Sequence, residues 1–211
     1  MKMHWVTKIA GLLVGTALSA SAMAVPLQNG DFSSGTNGFE SWEGELDDGS
    51  SYLSLTSDAD FGTYSNYYSA SSSAATLTNK NDYYHVSLFQ SFDVPTTAGT
   101  LILSFGYEWF VSNVDDFVQA TLEDVSTNVF YDLATYVPGV STSGTVNYDI
   151  TSLAGKNVEL YFLVEDGDFM AGDWLRVSNI TITETVKVPA PPVLVLLLTG
   201  LAGLLYRTKR G

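Results

Sequence analysis

Few residues of this chain have side chains that catalyse reactions. Residues 25–185 contain one histidine, His85, and the whole chain contains no cysteine. The sequence has no Gly-x-Ser-x-Gly turn, His-Glu-x-x-His helix or phosphate-binding glycine loop. The 23 acidic residues allow a carboxylate pair for glycoside hydrolysis, but the sequence cannot place such a pair. We therefore predict that the protein is not an enzyme and that His85 is an exposed strand residue rather than a base.

Aromatic side chains suggest a different chemistry, stacking on sugar rings. This contact needs an exposed aromatic face beside polar groups. Residues 56–73 form a predicted loop that is rich in tyrosine, which is typical of contact surfaces, although tyrosines also close the ends of β-sandwiches. Trp42, Tyr107 and Trp109 are predicted to lie in the core. The candidates for ligand binding are Tyr64, Tyr67, Tyr68, Tyr83 and Trp174.

Alternating strands must position these aromatic residues. In 84–94, 116–124 and 157–165, apolar side chains recur at every second residue, which predicts antiparallel strands with one face on a core. Residues 101–111 are apolar on both faces near the ends, as in a central strand. The inward residues of the three alternating strands are Val86, Leu88, Gln90, Phe92 and Val94, then Val118, Ala120 and Leu122, then Val158, Leu160, Phe162 and Val164.

The remaining segments are predicted as loops, a bulge and a turn. Long loops are expected at 47–51, 56–73 and 136–144, and no helix longer than the turn at 151–156. In the last strand the apolar phase changes between Val177 and Ile180, which indicates a β-bulge near Ser178.

The amino end has the pattern of a signal peptide. Lys2 and Lys8 precede the apolar run 9–17, and Ala22 and Ala24 are the small residues that a signal peptidase reads. We predict a signal peptide at 1–24, an ectodomain at 25–185 and a terminal segment at 186–211, and therefore an exported protein.

The carboxyl end joins a short proline element to an apolar run and a basic cluster. The proline element is Pro189-Ala190-Pro191, the uncharged run extends to Tyr206, and the cluster is Arg207, Lys209 and Arg210. As a helix, residues 188–206 span about 28 Å at ~1.5 Å per residue, close to a hydrocarbon core of ~30 Å. The basic end should stay cytoplasmic.

This layout resembles the PEP-CTERM sorting signal of Gram-negative bacteria that produce exopolysaccharide, with Ala190 in the place of the usual Glu. The resemblance implies recognition by exosortase, a membrane protease, an inner-membrane intermediate, and delivery to the cell surface or extracellular matrix. A plain C-terminal membrane anchor without processing is the alternative.

The charge of the ectodomain restricts its partners. Of the nine basic residues, only Lys80, Lys156 and Arg176 lie in 25–185, against all 23 acids, so the net charge there is −20. Such a surface repels nucleic acid and anionic polymers. It is compatible with neutral ligands, and stability without disulfides must come from burial and backbone pairing.

A second resemblance covers most of the ectodomain. Asn29-Gly30-Asp31-Phe32, the segments 38–42, 88–94 and 101–107, and the last strand look like parts of galactose-binding-like jelly rolls, which include carbohydrate-binding modules. The implied fold class is all-β, a single antiparallel β-sandwich (jelly roll), with a short C-terminal hydrophobic helix added by the terminal segment. The implied partner is polysaccharide.

That family often has a structural calcium ion held by an acid after the first motif and by an Asp of the last strand. These positions are Ser33 and Ser178 here, and calcium usually needs carboxylate ligands. We therefore predict no metal and no cofactor. Asp31 and Asp173 lie nearby in sequence, and they or the acidic turn 165–168 are the alternative carboxylate ligands, but the turn is interpreted as solvated.

Together these features predict an exported surface or matrix protein with a non-catalytic module that binds a neutral polysaccharide. A structural envelope or biofilm protein that self-associates without binding sugar is the alternative. Neither prediction includes a nucleic-acid partner.

Overall fold

Two antiparallel sheets form a sandwich. The computed structural model describes residues 26–185 except Ser72, Asn81, 135–140 and Ala171. The strands are β1 (Glu43–Asp47), β2 (Tyr52–Leu55), β3 (Tyr68–Ser71), β4 (Ala74–Thr78), β5 (His85–Asp93), β6 (Thr100–Phe110), β7 (Phe117–Asp124), β8 (Val129–Ala134), β9 (Thr142–Asp149), β10 (Asn157–Glu165) and β11 (Trp174–Thr185). The described helices are α1 (Asp58–Thr63) and a 3-10 turn at Thr151–Leu153.

The strand order confirms the predicted fold class. One sheet has six strands in the order β2-β1-β5-β10-β7-β8, and the other has five in the order β3-β4-β11-β6-β9. From β5 to β11 the chain changes sheet at nearly every connection, as in a jelly roll rather than a meander. The signal peptide and the C-terminal segment lie outside the described residues, so their predictions are not tested.

The core fills the space between the sheets as the alternation predicts. All inward residues predicted for β5, β7 and β10 are buried, including Gln90 at 5% exposure. Phe105 of β6 packs edge-on against Phe162 of β10, with ring centroids 5.4 Å apart, and so joins the two sheets. Trp42 and Trp109 are also in the core, as predicted.

The predicted bulge is present in β11. Its register against β6 shifts between Ser178 and Thr181, and Asn179 has a φ of +52°. The N–H of Ile180 donates to the carbonyl of Gly30 at 2.8 Å. A Cβ on Gly30 would lie 2.1 Å from the carbonyl oxygen of Ile180, so the first motif needs glycine for this close approach.

Two predicted loops differ from the structure. The segment 56–73 contains α1 and β3, because Ser57 and Asp60 form a capping box and Tyr68 is an inward strand residue. Strand β9 begins at Thr142, inside the loop predicted at 136–144, whereas 135–140 lie outside the described residues. The turn between β1 and β2 lies within 47–51, as predicted.

Candidate functional site

The outer face of the six-stranded sheet presents an aromatic pair among acids. We name it the aromatic sheet face and define it by seven outward side chains of β1, β5, β10 and β7. On paired strands, four pairs of these residues lie directly opposite each other: Glu43–Phe89, Phe89–Tyr161, Ser91–Glu159 and Glu159–Glu123. The members are Glu43, Glu45, Phe89, Ser91, Glu123, Glu159 and Tyr161.

Phe89 and Tyr161 form the centre of this face. They are direct partners on β5 and β10, and their rings lie nearly parallel, with centroids 5.8 Å apart and an interplanar angle of 26°. Both side chains are half-buried. Two adjacent rings held on paired strands form a rigid apolar surface of the kind on which a sugar ring can stack.

The acids of the face interact with one another. Burial raises the pKa of Glu159, and the negative charges of Glu123, Glu43 and Glu45 raise it further. The Ser91 hydroxyl donates to Glu159 Oε2 at 3.0 Å, which partly opposes this effect. Perturbed carboxyl groups beside an aromatic surface are typical of functional sites.

Tyr161 is fixed in place by His85. Its hydroxyl lies 2.6 Å from His85 Nε2, and burial raises the pKa of Tyr161 to about 12. Burial lowers the pKa of His85, although the charge of Asp47 opposes that shift, and this favours the neutral imidazole. His85 faces away from Val86 as predicted, but it is half-buried rather than exposed.

The geometry suits a ligand with an apolar face and hydroxyl donors at its rim. The rings provide the stacking surface, and the carboxylates accept hydrogen bonds, which are stronger when the acceptor is charged. The same carboxylates disfavour anions.

The tyrosines predicted to bind ligand are less exposed than expected. Tyr68 is 1% exposed, and its hydroxyl lies 2.9 Å from the carbonyl oxygens of Glu45 and Ser87. Its ring packs edge-on against Phe61 of α1. The expectation of an exposed Tyr68 face is therefore wrong, because the ring closes the core beneath β1.

The other four candidate residues differ in how much of each side chain is exposed to solvent. Tyr67 is 8% exposed and donates its hydroxyl to Asp82. Its ring lies edge-on to Tyr83, with centroids 5.0 Å apart. Tyr64 and Tyr83 are half-buried against the core, and Trp174 is a half-buried residue of β11. Their role in binding stays a prediction.

The sorting and cleavage residues cannot be placed. They lie outside the described residues and comprise Ala22, Ala24, Pro189, Ala190, Pro191, Arg207, Lys209 and Arg210. Within 26–185, apart from the gaps, no helix is long and apolar enough to cross a membrane.

Two clefts elsewhere have at most one partly exposed aromatic ring. One, of about 480 Å³, lies beside 32–39, and its rings Phe32, Phe39 and Phe61 are each at most 3% exposed. The other, of about 440 Å³, lies on the five-stranded sheet and contains one half-buried ring, Tyr107, which stacks on the buried Trp109. The aromatic sheet face is therefore the better candidate site for a stacking ligand.

The sequence contains a signal for this face that the pattern of inward residues does not include. Phe89 lies between Leu88 and Gln90, and Tyr161 lies between Leu160 and Phe162. Each is an aromatic residue out of phase with the core pattern, on the face expected to be polar. The pairing of β5 with β10 brings the two rings together, and no local sequence pattern predicts that pairing.

A second cluster lies at the end of the sandwich where β7 begins and β10 ends. Asp116 precedes β7, Asp166 follows β10 and Asp173 precedes β11. One carboxylate oxygen of each lies within 4.8 Å of the others. Asp116, Asp166 and Asp173 are each 0% exposed, so the interpretation of the turn 165–168 as solvated is wrong for Asp166.

Backbone and side-chain donors satisfy only part of this cluster. Asp173 Oδ1 accepts the N–H of Ser112 at 2.6 Å, and Asp116 Oδ1 accepts that of Gly167 at 2.9 Å. Burial raises the pKa of Asp166 to about 6 and also raises that of Asp173, with the charge of Asp116 adding to both shifts.

No family model matches the chain, and no curated protein matches it. Among solved structures, TmCBM61 in complex with β-1,4-galactotriose is 14% identical with a TM-score of 0.43, over 76% of this chain and 99% of that one.

Two further structures have similar values. The N-terminal cellulose-binding domain of Cellulomonas fimi β-1,4-glucanase C is 12% identical, with a TM-score of 0.38 over 78% of this chain and 100% of that one. The xylan-binding module CBM15 is 13% identical, with a TM-score of 0.38 over 71% and 94%. At these identities and scores the similarity carries no argument about ligand or activity.

Proposed function

We propose that the β-sandwich is a non-catalytic carbohydrate-binding module whose ligand lies on the aromatic sheet face. The observation that carries this proposal is the parallel pair of Phe89 and Tyr161, half-buried between acids on two central strands. Stacking on such rings contributes about 0.5–1.5 kcal/mol each, if sugar faces behave like other aromatic contacts.

The ligand class is a neutral polysaccharide. Glu43, Glu45, Glu123 and Glu159 surround the rings, and the ectodomain as a whole has a net charge of −20. Anionic polymers should bind only when salt screens the repulsion or cations bridge it. One small apolar surface gives weak affinity, so binding is useful through many copies on a surface.

The protein acts, in this proposal, outside the cell. Export follows from the signal peptide pattern with Ala22 and Ala24, and surface or matrix delivery from the exosortase-type tail with Pro189-Ala190-Pro191 and its basic cluster. Changing Arg207, Lys209 and Arg210 to Glu should impair retention and processing. Equal partitioning of tail-less and unaltered protein between membrane and medium, in a host with exosortase, would contradict the sorting proposal.

Affinity electrophoresis in gels containing soluble galactan, cellulose derivative or xylan tests the ligand site. The three polymers correspond to the ligands named for the similar structures. Phe89→Ala and Tyr161→Ala should abolish retardation by the polymer that retards the unaltered chain. Tyr161→Phe is the matched control, because it keeps the ring and removes only the hydroxyl.

The proposal fails if both alanine variants remain folded and are retarded like the unaltered chain, or if no neutral polymer retards the unaltered chain. Circular dichroism and thermal melting of each variant separate loss of binding from loss of folding. An anionic polymer such as alginate at low salt should give no retardation.

Self-association is the second candidate function, and β8 favours it. This edge strand exposes Val129 at 44% and Phe130 at 64%, and unprotected edge strands pair with other chains. Val129→Lys and Phe130→Lys should then reduce the sedimentation coefficient of the chain, while sugar binding at Phe89 and Tyr161 is unaffected.

A further inference from the structure

We infer that Asp116, Asp166 and Asp173 form a binding site for a hard divalent cation, namely calcium, at the end of the sandwich. This inference is independent of the proposed carbohydrate site, which lies on the outer face of the six-stranded sheet. It concerns positions different from Ser33 and Ser178, where the family resemblance would have placed a metal.

The burial of the three carboxylates is the first observation. Each of the three is 0% exposed, and one oxygen of each lies within 4.8 Å of the other two. A common ion at the centre of such a triangle is within reach of all three, since calcium–oxygen distances are about 2.3–2.6 Å. Several negative charges are not buried together in a protein without a positive partner that compensates them.

Unsatisfied oxygens are the second observation. Asp166 Oδ2 and Asp173 Oδ2 are buried and have no hydrogen-bond partner. A buried carboxylate oxygen without a partner costs free energy, and nearly all such atoms in native proteins bind a donor, a water or an ion. Two of them in one cluster of three acids indicate that a cation completes the site.

The basic residues of the described ranges do not supply that charge. Lys156 pairs with Asp124 at 2.6 Å, and Arg176 lies 3.9 Å from Glu108. Lys80 is exposed. No ion pair joins any of these three bases to the cluster.

The ligand atoms select the metal. All three are carboxylate oxygens, and His85, the histidine of residues 26–185, is on β5 and contacts Tyr161 instead. Hard oxygen ligands suit calcium and magnesium rather than zinc. Magnesium keeps several waters and resists dehydration, whereas calcium accepts a site built largely of protein oxygens, so a fully buried site favours calcium.

The site would join separate loops of the fold. Asp116 lies between β6 and β7, while Asp166 and Asp173 lie at the two ends of the connection between β10 and β11. Gly167 approaches this region so closely that a Cβ there would lie 2.3 Å from the Asp115 carbonyl oxygen. A bound cation would therefore hold the β10–β11 connection against the start of β7.

Thermal melting of the full chain tests the inference. The protein is stripped with EDTA, dialysed and melted with EDTA or with increasing calcium chloride. Calcium should raise the melting temperature by several degrees, in a concentration-dependent way. Asp166→Asn should lose this rise and should melt no lower than the unaltered chain in EDTA, because it removes an uncompensated charge.

Asp48→Asn is the matched control, since Asp48 is an exposed acid in the β1–β2 turn, and it should keep the full calcium response. Terbium luminescence gives a second measurement that does not depend on a variant's folding. Trp174 neighbours Asp173, so terbium should be sensitised with a stoichiometry of one per chain, and calcium should displace it.

Equal melting of the unaltered chain in EDTA and in calcium would overturn the inference, and so would an Asp166→Asn variant that keeps the calcium response. An equal rise with magnesium at the same concentration would overturn the assignment to calcium. Terbium that binds without displacement by calcium would do the same.

Discussion

The Asp58 carboxylate accepts the backbone N–H of Phe39 at 2.8 Å. The same carboxylate accepts the N–H groups of Thr36 at 2.8 Å and Asn37 at 3.0 Å. Burial opposes ionisation of Asp58, but these backbone donors together lower its pKa. The first turn of α1 therefore holds the loop that precedes β1, and both segments contribute buried rings to the core.

Replacing Asp58 by Ala should lower the free energy of unfolding by about 2–3 kcal/mol, because hydrogen bonds to a charged group contribute about 1.5–3 kcal/mol. Urea denaturation measures this change. Asp48→Ala is the matched control, since Asp48 accepts only from Ser50 and Ser51 within its own turn. Equal losses in the two variants would contradict the tethering role of Asp58.

The pair of Asp124 and Lys156 should make stability depend on pH at both ends of the range. The Lys156 ammonium lies 2.6 Å from Asp124 Oδ2 and lowers the pKa of Asp124, assisted by the Ser126 hydroxyl. In return, Asp124 raises the pKa of Lys156. The carboxylate is 1% exposed, whereas the lysine side chain is 40% exposed.

The direction of the pH dependence of stability follows from the two pKa shifts. A lowered carboxyl pKa contributes stability above the unfolded value of about 3.9, and this is lost as the pH falls through the folded pKa. A raised lysine pKa contributes stability below about 10.4, and this is lost as the pH rises through the folded pKa. Lys156→Met should therefore destabilise the protein between these limits, and the difference from the unaltered chain should shrink outside them. A difference that stays constant from pH 2 to pH 7 in urea titrations would contradict this account.

The sequence predicts most of the core and little of the site. Inward positions such as Leu88, Leu160 and Val118 repeat with period 2, and a period is visible without knowing which strand pairs with which. The Phe89–Tyr161 pair depends on the pairing of β5 with β10, and the two residues are 72 positions apart in the sequence (161 − 89). Long-range pairing is decided by the whole core, so no local pattern contains it.

Local composition also misled the prediction for 56–73. Ser, Asp and Tyr in alternation are typical of loops, but Ser57 and Asp60 cap a six-residue helix. Tyr68 then enters β3 with its ring inward. Burial of a tyrosine depends on finding partners for its hydroxyl, and those partners, Glu45 and Ser87, come from other strands.

Tyr68 should therefore act on stability rather than as a ligand contact. Tyr68→Ala should lower the free energy of unfolding by about 3–5 kcal/mol, as for other large aromatic residues of a core, or about 10 °C in melting temperature. Tyr68→Phe removes only the hydroxyl and should cost about 1 kcal/mol. An alanine variant that melts like the unaltered chain but binds polysaccharide less well would restore Tyr68 as a binding residue.

The bulge in β11 depends on the backbone of Asn179. Its φ of +52° lies in the left-handed region, which Asn and Gly tolerate and β-branched residues do not. Its side chain is exposed, while its N–H donates to the Ser73 carbonyl at 3.1 Å. A change of side chain here therefore acts through the backbone and not through packing.

Asn179→Val should lower the free energy of unfolding by about 1–2 kcal/mol, whereas Asn179→Gly should leave it nearly unchanged. The bulge restores the inward phase of Ile180 after Val177, and without it the later residues of β11 would turn to the opposite face. Urea denaturation of both variants measures the difference. A valine variant as stable as the glycine variant would show that β11 tolerates another conformation at this position.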